Sequence, residues 1–443
     1  MVPDGGGSCL YTQGVSQLAQ IAEEVLDDVL RAIDVRGPGM RSVLDPVASV
    51  VRAAASSAPR LVVISVGKAA GPLLDAWLSV STDDPAETGV CVGSQPKELP
   101  DGFSHVPGCH PVPGPQSQEA ADLILGLLEA TDAATRVVFL LSGGASAMVE
   151  RPLWEDVSLG DLAVVHGALV GCGATIGEIN TVRKHLSATK GGRLAQVAAP
   201  ARLFTVMVSD VPNDNPHLVA SGPTLPDPTT VEQCCSVIEN HGLLDALPES
   251  VRRRITARDI PETPKPESMA PADAFTVLGS HDAMVAAHSF AEARGFVARI
   301  ATLTDEWPVE NAAEELVLRL RSLKEQHPDS PVALIADGEV LSPVQGPGVG
   351  GRNQAFVLAC ASLIAGDPVC VLSAGTDGID GNSSAAGGWV DGETVARAEA
   401  LGLDGAAYAA RSDSHAFLDA LGQTVVTGPT GNNVRDLRIL LAE

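Results

Sequence analysis

Aromatic side chains make up only 3% of this 443-residue chain, so a binding surface of stacked rings, the usual platform for bases, is not its strategy. No apolar run approaches the roughly 18 residues that span a bilayer, and no basic segment followed by an apolar one opens the chain. Positive charge is equally scarce. Lys and Arg number 29 against 55 Asp and Glu, a net charge of −26, which argues against nucleic acid or an anionic membrane as partner because both need a basic footprint. Eight cysteines are scattered without a C-x-x-C pair, metal-ligand spacing or a disulfide framework, which fits reduced thiols in a cytoplasmic setting. Two catalytic signatures are also missing. Ser142 to Ser146 lacks the lysine of a Walker A loop, and no G-x-S-x-G elbow occurs.

What is present is a series of buried-strand patterns, each ending in polar or glycine residues. The length exceeds the roughly 250 to 300 residues at which one core stops growing, so two domains are expected. Leu61 to Val66 runs into Gly67-Lys68, and Val137 to Leu141 runs into Ser142-Gly143-Gly144-Ala145-Ser146. Leu203 to Ser209 runs into Asp210. Helical spacing at Val15–Ile33, Ser117–Leu128 and Leu159–Val170 alternates with these strands, which predicts βαβ units and a parallel sheet. Ligands bind at the carboxyl tips of such strands. A lysine, a glycine loop opening a helix and an acid would then face one crevice, suited to phosphate. His110, within the rigid turn Gly108–Gly114, reads as structural.

Arg183, Lys184 and His185 form a tight basic cluster that continues to Lys190 and Arg193, on a chain otherwise acidic. Residues 259–272 are proline-rich with mixed charge and read as a linker. The expected division is a loose tail at 1–14, an α/β domain at 15–258, and a second α/β domain at 273–443 that begins with a strand at Phe275–Leu278. Within the latter, Gly346 to Gly351 formally satisfies G-x-G-x-x-G. The glycines do not follow directly on a strand, however, as a dinucleotide fingerprint requires, so a mobile loop delivering Arg352 to an anion is the better reading. Asp337 and Glu339 flank that loop. Asp377 and Asp380, set between glycines, suit Mg²⁺ or substrate, and the element after Asn433 is ambiguous.

Strand-tip glycines, one tip lysine, a loop arginine and several aspartates together suit phosphoryl transfer, which needs cations, a backbone N–H cradle and an orienting carboxylate. The stretches SVGKAA (from Ser65), LSGGASA (from Leu141), EINTVRKHLSATKGGRLA (from Glu178), SDVPNDNPHLVASGPTLPDPTT (from Ser209), GGRNQ (from Gly350), GTDGIDG (from Gly375) and TGPTGNNVRDLR (from Thr427) resemble the glycerate 2-kinase family with a C-terminal MOFRL domain. The resemblance implies a Rossmann-like parallel sheet with helices on both faces and a smaller MOFRL-type α/β domain. It also implies ATP- and Mg²⁺-dependent phosphorylation of D-glycerate at the 2-hydroxyl, in a cleft between the domains. Lys68, Arg352 and Asp210 match catalytic positions. Ser142, Gly143, Gly144 and Ser146 would cradle nucleotide or phosphate, and Asn180, Arg183, Lys184, His185 and Lys190 would meet substrate. The sequence departs from the family at Gly114, Ala145, Asn213, Ala355 and Ser384. Expected partners are small molecules, glycerate and ATP, with no nucleic acid and no membrane; a homodimer is left open. An NAD(P)H-dependent hydroxypyruvate reductase is the alternative, since some family members carry that label.

Overall fold

A computed structural model of the chain describes residues 16–209, 211, 216–269 and 273–443. Its contacts separate two compact units. One comprises Ile33–Gly279 with Gly431–Val434; the other comprises the described residues up to Ala32, Ser280–Thr430 and Arg435–Glu443.

In the first unit the apolar runs become six parallel strands: β1 (Arg60–Gly67), β2 (Thr88–Gly93), β3 (Phe103–Val106), β4 (Thr135–Leu141), β5 (Arg202–Val208) and β6 (Asp273–Leu278). Their order, β3-β2-β1-β4-β5-β6, reverses between β1 and β4, and that switch point is where doubly wound sheets bind ligands. Ile64 faces Phe139 and Val66 faces Leu141 across the central pair. Ala120, Ile124 and Leu128 of the helix Pro115–Glu129 close the core over them. A separate core joins the helices Leu159–Gly171, Ile176–Leu186, Val231–Asn240 and Glu249–Ala257 through Val165, Leu169, Val182, Cys235, Ile238 and Val251. Ser158 and Thr175 cap the first two of these helices by reciprocal bonds with Asp161 and Glu178.

Two expected boundaries are corrected. Phe275–Leu278 does not open the second domain: it lies in β6, hydrogen-bonded in parallel to β5. The proline-rich stretch is accordingly a strap on the first unit. The Pro261 carbonyl accepts from Arg193 at 3.0 Å, the Thr263 hydroxyl donates to Asp227 at 3.0 Å, and the Pro264 carbonyl accepts from the Asp227 amide. The amphipathic helix Gln17–Ala32, in turn, belongs to the second unit. Its buried stripe, which includes Leu18, Ala22, Val25, Leu26 and Val29, packs on the second sheet and on the helix Ser280–Ala293, and Asp28 pairs with Arg294 at 2.7 Å.

That second sheet contains β7 (Val297–Ala301), β8 (Val332–Asp337), β9 (Val369–Gly375), β10 (Gly387–Asp391), β11 (Thr424–Val425) and β12 (Asp436–Ala442), in the order β11-β10-β9-β12-β8-β7. Only β7 and β8 run parallel; the other pairings are antiparallel. The ambiguous C-terminal element is β12, buried along its whole length between β9 and β8. No described helix is long and apolar enough to cross a membrane.

Buried charge sets two energetic constraints on the first unit. Arg136, fully buried at the start of β4, donates to the carbonyls of Val51, Ala58 and Pro59 and pairs with Asp84, holding the end of the helix Pro38–Ala53 and two loops to one strand end. His166, on the helix Leu159–Gly171, has its pKa pushed down to about 3, first by burial and then by the charges of Arg183 and Lys190. The native state therefore refuses a proton that the unfolded chain accepts below about 6.5. Stability is full above that pH and falls as pH drops toward 3.

Arg136→Met should lower unfolding free energy by about 3–5 kcal/mol in urea titrations, because Asp84 and three carbonyls lose their partner; a loss under about 1 kcal/mol would refute that role. Lowering the pH from 7 to 5 should cost the wild type about 2 kcal/mol through His166 alone. His166→Asn should shrink the pH difference by that amount, and an identical pH dependence in the two proteins would rule the histidine out.

Candidate active site

The tips of β1 and β4 are joined at the switch point. The Ser142 amide donates to the Val66 carbonyl at 3.0 Å and the Lys68 amide to the Gly143 carbonyl at 2.9 Å, while the Ser142 hydroxyl accepts from the Ala69 amide at 3.1 Å. Gly67, at φ +128°, permits this approach, since a Cβ there would fall 2.3 Å from Ser142 Oγ. Gly144, at φ +83°, brings the backbone against Lys68 and His110, where a Cβ would stand 3.2 Å from Lys68 Cγ and 3.0 Å from His110 Cδ2. Lys68 is half-buried directly beyond β1. The lysine and the glycine tip are thus brought together as the sequence predicts. The helix beyond the tip is a single turn, Ala145–Met148, and the Ser142 side chain is committed to the joint rather than turned to a ligand. The His110 ring lies beside Gly144, and its pKa is lowered by burial and then by the Lys68 charge. Asp210 lies outside the described residues; its strand, β5, stands next to β4.

A polar chain leads from the tip to the helix Ile176–Leu186. The Ser146 and Ser221 hydroxyls are 2.8 Å apart, and Ser221 donates to Asn180 Oδ1 at 3.0 Å. Ser221 and the preceding Ala220 both sit in the left-handed region, at φ 60° and 54°. Such strain costs about 1–3 kcal/mol per residue and persists where the surroundings impose it. Nothing in the residue types announced this pair.

Most of the predicted basic cluster is consumed internally. Lys184 is buried against Asp227 at 3.3 Å, and Lys190 against Glu150 at 2.8 Å. His185 lies between the Thr181 carbonyl and Glu262. These three are struts of the fold, which corrects their expected place at the substrate. Arg183 differs: its Nε is buried without a hydrogen-bond partner. Its pKa is lowered by burial, with Glu150 opposing.

Arg352, Asp377 and Asp380 belong to the second unit. Arg352 opens the helix Arg352–Leu363. Its Nε and Nη2 donate to Asp436 at 2.5 and 3.1 Å, and Nη2 lies 2.7 Å from Glu339. Burial opposes its charge, but Asp436 and then Glu339 outweigh that and raise its pKa. The preceding glycine loop, expected to be mobile, is fastened through Gln345, Val349 and Gly350 to Ser412, Asp413 and Asn382. Its glycines fit against Arg411, Asp413, Ser414 and Asp380, so they serve packing rather than a dinucleotide. Asp380 is buried and accepts the amides of Asn353 and Gln354 at 3.0 and 2.8 Å, capping the Arg352 helix. Burial pushes its pKa up to about 6. Each oxygen keeps a further lone pair beside the backbone amide it accepts. Asp377 Oδ1 accepts the Ile379 amide, and no group of three potential metal ligands occurs among the described residues. Asp436, which the sequence reading missed, lies inside the NVRDLR stretch.

Residues 21–256 match the family described as a domain of unknown function, DUF4147, and residues 332–436 match the MOFRL family. The D-glycerate 2-kinase of Thermotoga maritima is 37% identical over 384 residues, covering 86% of this chain and 90% of that protein. A protein of Agrobacterium vitis with the provisional name hydroxypyruvate reductase is 36% identical over 392 residues, covering 86% and 87%. The crystal structure of glycerate kinase from Thermotoga maritima superimposes with a TM-score of 0.83 at 34% identity, covering 96% of this chain and 99% of that one. With both domain types matched in order, and relatives this similar along most of their length, the chain belongs to the glycerate 2-kinase family with a C-terminal MOFRL domain.

Proposed function

We propose that this protein is a glycerate 2-kinase: it transfers the terminal phosphoryl group of ATP, with Mg²⁺, to the 2-hydroxyl of D-glycerate, giving 2-phosphoglycerate. The observation that carries this reading is Lys68 beside the glycine tip at the β1/β4 reversal, in a chain whose relatives bear that activity in their names. Phosphoryl transfer asks little covalent chemistry of the protein and much positioning and charge neutralisation. Lys68 supplies a cation at the strand tip, held against a tip backbone whose close joint Gly67 and Gly144 permit. Mg²⁺ neutralises phosphate charge when bound. The described aspartates form no cage for it, which suits an ion held largely by nucleotide phosphates and water. Asp210, next after Ser209 beyond β5, is the proposed acid that orients the accepting hydroxyl.

Arg352 is the second proposed cation. Asp436 grips its Nε edge, which fixes the plane of the guanidinium, while Glu339 holds the far end with a side chain 38% exposed. Burial raises the Glu339 pKa against the pull of Arg352, so Glu339 is the partner an incoming phosphoryl oxygen displaces at least cost. The seven described cysteines are all free, which supports a cytoplasmic enzyme acting on small molecules.

Incubation with ATP, Mg²⁺ and D-glycerate should yield ADP and 2-phosphoglycerate, resolved from the 3-isomer by phosphorus NMR. Exclusive 3-phosphoglycerate would overturn the regiochemistry, and NADH oxidation with hydroxypyruvate in place of turnover would favour the reductase. Lys68→Ala and Arg352→Ala should each lower kcat by about 100-fold or more, the scale of one preorganised charge stabiliser. Asp436→Asn should lower kcat by about 10-fold with KM little changed, whereas Glu339→Gln should leave kcat within about 3-fold; the reverse ranking would refute the division of labour between the two acids.

A further inference from the structure

We propose that Arg183 is the anchor for the carboxylate of the accepting hydroxy acid, and that through it the first unit selects a small monoanion over neutral polyols. This inference rests on the kinase reading above and names the group that recognises its substrate.

Three observations converge on that side chain. The first is its unmet hydrogen-bonding capacity. Arg183 Nε is buried without a partner, as are the Nε atoms of Arg193, Arg254, Arg435 and Arg438, but those four donate through their other nitrogens whereas the Arg183 side chain makes no hydrogen bond among the described residues. An unsatisfied guanidinium donor is costly unless a ligand or solvent fills it. The acid whose charge acts on it, Glu150, is already held by Lys190 at 2.8 Å and by the Ser187 hydroxyl at 2.5 Å. Arg193, the other basic side chain of the cluster without an ion pair, has a protein acceptor in the Pro261 carbonyl and the charges of Asp227 and Glu262 to offset it.

The second is position. Arg183 follows Asn180 by three residues on the helix Ile176–Leu186, and side chains three apart are neighbours on a helix surface. Asn180 is tied through Ser221 to Ser146 at the glycine tip. Arg183 is therefore rooted about one helical turn beyond Asn180, which belongs to a polar chain that starts where phosphoryl transfer is proposed.

The third is charge. Lys190 and Glu150 cancel, Lys184 and Asp227 cancel, and His166 is held neutral at physiological pH by burial and by Arg183 and Lys190 themselves. Arg183 is left with a positive charge that no ion pair among the described residues takes up. That matches a single carboxylate, which a guanidinium grips with two parallel hydrogen bonds, and falls well short of what a triphosphate needs.

The test compares D-glycerate with its neutral amide, glyceramide, as acceptor in wild type, Arg183→Gln and Arg183→Lys. Wild type should prefer glycerate by at least about 100-fold in kcat/KM, because a site built for a charged group rejects the analogue that lacks it. Arg183→Gln should raise the KM for glycerate by about 100-fold, leave the KM for ATP within about 2-fold and abolish the preference; Arg183→Lys should recover part of it. An unchanged glycerate KM in Arg183→Gln would overturn the proposal, as would an increase confined to ATP, which would assign Arg183 to the nucleotide. Isothermal titration of D-glycerate without nucleotide separates this inference from the kinase reading. Arg183-dependent binding in a protein that shows no turnover would sustain the anchor and sink the kinase, whereas turnover with equal use of glycerate and glyceramide by wild type would do the opposite. That last comparison needs no variant to fold.

Discussion

The joint between β1 and β4 is the constraint on which the rest of the first unit depends. Three hydrogen bonds, two between backbones and one to the Ser142 hydroxyl, bring two strand tips closer than any side chain at Gly67 would allow. Two neighbouring parallel strands need not meet so closely beyond their ladder. Here they do, and the consequence is that Lys68, Gly144 and His110 share one small region with their backbones fixed. Preorganisation of this kind lets a cation act on developing charge without first reorganising.

The strong negative charge of the chain gives its buried cations a second significance. Arg136 and Asp84, Lys184 and Asp227, and Lys190 and Glu150 are internal pairs that hold loops, the proline strap and the basic helix in place. Removing one partner of such a pair is far more costly than its net contribution suggests, because the other charge stays buried. Against that background Arg183 stands apart because its side chain makes neither a hydrogen bond nor an ion pair among the described residues. Arg352 is a different case: Asp436 and Glu339 fix its guanidinium from two sides. The helix that carries it is capped by Asp380, which fixes the start of the helix on which Arg352 sits.

The contrast among Arg183, Lys184 and His185 shows how far residue types alone can lead. Three adjacent basic residues on an acidic chain point to an anion site, the neighbourhood proposed above for the substrate carboxylate. Residue types cannot say which of the three is left over. On a helix, consecutive side chains point about 100° apart, and only the packing of Asp227 and Glu262 against this face decides that Lys184 and His185 are consumed while Arg183 is not. The glycine run before Arg352 fails for a similar reason: a G-x-G-x-x-G pattern is satisfied equally by a phosphate loop and by a loop that must lie flat against Arg411 and Asp413.

What the sequence by itself determined was whatever local patterning carries. The buried-strand runs, the helices between them, the glycine tip and the strand-tip lysine follow from apolar periodicity and turn chemistry, which act within a dozen residues. Motifs spread along the chain were enough to indicate the family. Tertiary structure alone decided which sheet receives β6, that the helix Gln17–Ala32 crosses to the second unit, and that β12 fills the space between β9 and β8. It also decided which buried charges find partners. Those outcomes depend on contacts between residues hundreds of positions apart, where the free energy of closing an ion pair or a sheet edge is set by neighbours that no local pattern records.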